Sequence, residues 1–64
     1  MTIGIEGMHS AACVKRVRMA LHGVDGLTVR EVALGSAVVD GDAKHLALAM
    51  EAIVKAGYQP HILA

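Results

Sequence analysis

Gly7-Met8-His9-Ser10-Ala11-Ala12-Cys13 is where the soft and titratable donors of this chain gather. Cys13 is its only cysteine. The thiol falls where an alternating apolar segment gives way to a helical one, so it sits in the first helical turn. Unpaired backbone N–H groups and the positive end of the helix dipole favour the thiolate there. Lys15 and Arg16 follow closely and add positive charge. A low-pKa, partly exposed thiolate is a nucleophile, a redox handle or a soft-metal ligand. Out of context a free cysteine is more often a buried, inert packing residue. The position after Gly7-Met8, in a strand-to-helix loop, reverses that expectation. Ser10 stands where an N-cap serine belongs. His9 is a loop residue whose imidazole is available to a metal.

Glycines at 7, 23, 26, 35, 41 and 57 divide the rest of the chain. Thr2–Gly7 alternates, with Ile3 and Ile5 on one side, as in a half-buried strand. From about Ser10, the apolar residues Val14, Val17, Leu21 and Val24 recur on one helix face, and Gly23 and Gly26 end the helix. Leu27–Leu34 is rich in strand formers, with Val32 and Leu34 on one face. Gly35-Ser36 reads as a two-residue hairpin turn of type II′. Ala37–Asp40 returns. Asp42 caps a second helix over Ala43–Ala56, whose stripe is Leu46, Ala49, Met50 and Ile53. Tyr58–Leu63 is the last strand, and Pro60, with no N–H to donate, places it at an edge. The order β-α-β-β-α-β predicts an α+β, ferredoxin-like fold: a four-stranded antiparallel sheet with two helices on one face.

Sixty-four residues make one domain, 1–64, too small for an enzyme with a deep cleft. Aromatics are 2% of the chain, so the core must come from Val, Leu, Ile, Met and Ala. One cysteine cannot form an internal disulfide, and a lone thiol suits a reducing compartment. Six Lys+Arg balance six Asp+Glu, which leaves no global field for nucleic acid or an anionic membrane. Met1–Gly7 lacks the basic and apolar regions of a signal peptide, and no apolar run nears the ~20 residues of a membrane span. A cytoplasmic location is the expectation. No nucleophile–base–orienter set and no phosphate-binding glycine loop is visible, so no enzymatic activity is expected.

The chain resembles the heavy-metal-associated domains of the copper-chaperone type. Met8-His9-Ser10-Ala11-Ala12-Cys13 is similar to their Met-Thr-Cys-x-x-Cys loop. Val14, Val17 and Leu21 match the helix after it, and Val24-Asp25-Gly26-Leu27 the helix-to-strand turn. Ala37-Val38-Val39-Asp40 matches the third strand, and Ala56-Gly57-Tyr58 the approach to the fourth. The resemblance covers essentially the whole chain. It implies a Cu(I) carrier that passes its ion to the thiolates of a copper-transporting ATPase or a similar metal-binding domain. The chain departs from the family where Ser10 replaces the first cysteine and His9 the threonine. A hydroxyl is a hard donor and no substitute for a thiolate.

Cys13 is then the main ligand. The second comes from His9, from Cys13 of another copy in a metal-bridged dimer, from glutathione, or from a partner's cysteine pair, with the intermolecular sources favoured. The resemblance makes Met8 a core plug. It puts Tyr58 near the loop, to shield the site or hydrogen-bond toward a thiolate. Lys15, Arg16 and Arg18 form a solvated basic flank or a docking patch. His22, His45 and His61 are expected on the surface. The rival readings are a thiol redox module linked to glutathione and an interaction domain without metal.

Overall fold

Ile3 and Ile5, both essentially buried, anchor strand β1 (Thr2–Glu6) to the core. In the computed structural model, which describes residues Met1–Leu63, β1 is followed by α1 (Ala11–His22), β2 (Thr28–Ala33), β3 (Ser36–Asp40), α2 (Ala43–Lys55) and β4 (Gln59–Ile62). Ala64, the last residue of the expected domain, lies outside the described residues. The strands form one sheet in the order β2-β3-β1-β4, and every neighbouring pair is antiparallel. This is the expected ferredoxin-like α+β architecture.

The two helices pack against each other, α1 also against β2 and α2 against β4, so both cover one face. Val17 and Leu21 of α1 and Ala49 and Ile53 of α2 are fully buried against Ile3, Ala37 and Val39 of the sheet. Asp42 caps α2 as its sequence position predicts: its carboxylate accepts from the His45 N–H at 2.9 Å. Leu21 fills the space between α1 and the sheet, so Leu21→Ala should lower stability by about 2–5 kcal/mol, the range for truncating a buried leucine. Urea unfolding checks this. A drop below about 1 kcal/mol would mean the site collapses around the smaller residue.

The hairpin corrects the expected register. Ala33 pairs with Ser36, so the turn is Leu34-Gly35 and not Gly35-Ser36. Gly35 takes φ +89 at the second turn position, while among the described residues none other than glycine has positive φ. That is the signature of a type II turn rather than type II′. Leu34 therefore leaves the Val32 face and is exposed. His45 is also not a plain surface residue. Its Nδ1 lies 2.6 Å from the Asp42 carboxylate, and its ring lies over Gly26.

Both outer strands are irregular. A bulge interrupts β2 between Val29 and Glu31. In β4, Pro60 sits opposite Ile5, whose N–H goes the other way, to the Gly35 carbonyl. The nitrogen of Pro60 therefore points out of the sheet, where no ladder bond is lost. This agrees with the edge position expected of the proline.

Candidate metal centre

The loop between β1 and α1 is shaped from beneath. Gly7, at φ +98, lets the chain leave β1, a conformation a side chain would strain. Met8 turns inward and is buried, its sulfur accepting from the Gly35 N–H at 3.4 Å. It is the core plug the sequence suggested. His9, Ser10, Ala11 and Ala12 are left exposed above it.

Ser10 is the N-cap residue of α1, with extended φ and ψ, and its carbonyl accepts from the Cys13 and Val14 N–H groups. Its side chain does not cap the helix. The hydroxyl instead donates to Cys13 Sγ at 3.7 Å. The cap position is as expected and the capping hydrogen bond is not. A large, polarisable sulfur one turn on competes for the hydroxyl proton.

Cys13 is half-buried, and its thiol pKa is lowered from 9.0 to about 6. The Tyr58 hydroxyl contributes most, followed by the His9 backbone N–H and the Ser10 hydroxyl, against a smaller opposing effect of partial burial. The same hydrogen bond raises the pKa of Tyr58, whose proton would have to leave a thiolate. His9 thus reaches the sulfur through its main chain. Tyr58 is buried at the end of α2, with its ring beside Gly7 and its hydroxyl toward the loop.

Iodoacetamide should therefore alkylate Cys13 with a midpoint near pH 6. Tyr58→Phe should move that midpoint upward, since the largest cause of the shift is then gone. An unchanged midpoint in the variant would remove the phenol as the cause. The sign for stability follows from a folded pKa below the unfolded one. The thiolate's contribution is complete above about pH 9 and is lost as the pH falls toward 6.

One residue matters more here than its sequence context indicated. Arg16 is not only part of a solvated flank: its guanidinium donates to the Tyr58 oxygen at 3.4 Å. Tyr58 is the largest cause of the lowered thiol pKa, in line with the hydrogen bond toward a thiolate that the resemblance implies. His22, His45 and His61 lie on three different elements, α1, α2 and β4. Among the described residues, no three His, Cys, Asp or Glu side chains come together as a ligand set. None of the described helices is long and apolar enough to cross a membrane.

The profile of the heavy-metal-associated domain matches residues 2–59, nearly the whole chain. The chain belongs to this family. Copper-transporting ATPase 2 of Rhizobium meliloti (strain 1021) is 46% identical to the domain over 63 residues, which take in 92% of this chain and 8% of that protein. The chain thus spans a small fraction of the length of this relative. Among solved structures, the domain superposes on the copper binding domain from HMA7, a P-type ATPase, with a TM-score of 0.88 at 35% identity. That match covers 100% of this chain and 92% of the other. The N-terminal domain of PacS from Synechocystis PCC6803 gives 0.81 at 30% identity, covering 98% and 94%.

Proposed function

We propose that this heavy-metal-associated domain carries Cu(I) on the Cys13 thiolate and hands it on by ligand exchange. The observation that carries the reading is a half-buried sulfur at the start of α1 that accepts from the Ser10 hydroxyl and whose pKa is lowered to about 6. Soft monovalent copper prefers such a sulfur to oxygen or to an amine. The relatives support the choice of metal, since two of them are named for copper.

One thiolate leaves the ion short of a second donor. Ser10 already spends its hydroxyl proton on the sulfur and offers only a hard oxygen. His9 has its imidazole in the exposed loop and stands as the internal candidate for the second ligand. The preferred source is external: Cys13 of a second copy, glutathione, or the cysteines of a copper-transporting ATPase or a similar domain. Exchange then proceeds by attack of the incoming thiolate on the low-coordinate ion, with displacement of Cys13, so the metal never enters water.

Native mass spectrometry of the reduced, Cu(I)-loaded protein tests this. A species with two chains and one copper, or one chain with copper and glutathione, supports the external ligand. One chain with one copper and nothing else supports His9. Absence of copper from every species overturns the carrier reading.

The same accessible thiolate, with no second cysteine in the chain, also favours a redox reading. Cys13 would attack glutathione disulfide, form the mixed disulfide and release glutathione thiolate. Rapid capture of glutathione without Cu(I) binding would establish that alternative.

A further inference from the structure

Gly35, in the turn between β2 and β3, reaches both β1 and the metal loop with its two backbone polar groups. Its carbonyl accepts from the Ile5 N–H at 2.8 Å. Its N–H donates to the Met8 sulfur at 3.4 Å. Ile5 and Met8 stand on either side of Gly7, where the chain leaves β1 at φ +98. A glycine has more backbone freedom than any other residue, so Gly7 does not by itself fix the direction of the loop. One residue of the hairpin holds both arms of that turn. In a type II turn the N–H of the second central residue has no partner, since the turn's own hydrogen bond joins its first and last residues. The thioether gives this N–H an acceptor. A leucine plug would fill the core beneath the loop and leave the same N–H without one.

We infer that Gly35 is a positioning residue for the metal centre: from the hairpin it fixes the start of the Cys13 loop, gripping β1 through its carbonyl and Met8 through the sulfur. Met8 is buried and belongs to the core cluster against which Cys13 packs. Ser10, two residues on, opens α1, and Cys13 lies in the first turn of that helix. Holding Met8 therefore holds the place where the helix begins. The placement of the loop stands without metal, and its consequence for Cu(I) rests on the carrier reading.

Nitrogen-15 NMR of the reduced, metal-free protein tests the grip. The Gly35 amide should exchange with solvent at least about tenfold more slowly than a glycine in an unfolded chain. In Met8→Leu it should exchange at least about fivefold faster than in the wild type, since the acceptor is gone. Backbone order at His9 and Ser10 should fall with it, while that at Leu21 and Ile53 stays as it was. Cores tolerate the exchange of methionine for leucine, so the variant should fold. A Gly35 amide that exchanges freely in the wild type overturns the inference, whatever the variant does. Protection that survives in Met8→Leu also overturns it, since the sulfur is then a plug and no acceptor. Lost protection beside an unmoved loop would make Gly35 a turn residue only, and ends its positioning role.

The second readout is Cu(I) affinity against a chelator. Met8→Leu should weaken it by about two- to fivefold, the scale of one modest hydrogen bond. A loss of about 100-fold or more would make the sulfur itself a ligand, and would overturn its assignment to Gly35. A loosened loop with unchanged affinity would mean that the ion gathers its ligands without the hairpin, and would overturn the link to the metal. A wild-type protein that binds no Cu(I) overturns the carrier reading alone, and the NMR comparison then decides the role of Gly35.

Discussion

Cys13→Ala should abolish competitive Cu(I) binding while the domain stays folded. The thiolate is the sole anionic soft donor in the loop, and the groups that stabilise it are donors and not ligands. With the sulfur removed, the ion is offered the His9 imidazole and the Ser10 hydroxyl. Loss of its best ligand should weaken affinity at least about 100-fold, roughly 2.7 kcal/mol. Cys13 is half-buried and lies outside the set of fully buried side chains, so the change in folding stability should stay within about 1 kcal/mol. Chelator competition and thermal unfolding on the same samples separate the two effects. Undiminished affinity in the variant would remove Cys13 from the site. A collapse in stability would mean that the sulfur is mainly a packing atom.

Ser10→Cys should have a comparably large effect in the opposite direction. The Ser10 oxygen stands 3.7 Å from the Cys13 sulfur. Sulfur–metal bonds of about 2.3 Å, taken from zinc–thiolate sites, let two sulfurs up to about 4.6 Å apart hold one ion between them. The new thiol would occupy the serine position without moving the backbone, which is already extended at the cap. Binding then becomes a chelate within one chain, and the second thiolate no longer has to be recruited from solution. Affinity should rise by about 100-fold or more, and the loaded species should contain one chain and one ion. Chelator competition and native mass, both under reducing conditions, check this. A variant with unchanged affinity and unchanged stoichiometry would mean that the missing cysteine is not what limits the site.

Much of the fold is legible in the residues because each element carries its own period. Ile3 and Ile5 alternate, Val17 and Leu21 share a helix face, and Asp42 and Pro60 sit where their backbone chemistry puts them. The hairpin is legible only to within a residue. Gly35 suits either position of a two-residue turn, and the choice depends on pairing between Ala33 and Ser36 that no local pattern displays. The loop announces its thiol through the helix start and the family motif. What it does not announce is the geometry of the hydrogen bonds. Ser10 has two acceptable partners, the helix backbone and the sulfur, and only three-dimensional placement decides between them. The contact between Arg16 and Tyr58 joins residues 42 positions apart. In the sequence, Arg16 is one of a run of cations, with nothing local to separate it from Lys15 or Arg18.

The outward-facing nitrogen of Pro60 and the bulge in β2 bear on how copies of the domain can associate. An open sheet invites a neighbour to zip onto its rim and so begin a fibre. Here one rim is missing the hydrogen of Pro60 and the other is interrupted by the bulge in β2. Self-association through the backbone is discouraged on both flanks, so a pair of copies bridged by an ion should fall apart once the ion is stripped. Many copies can then stay crowded together without fusing into a continuous ribbon.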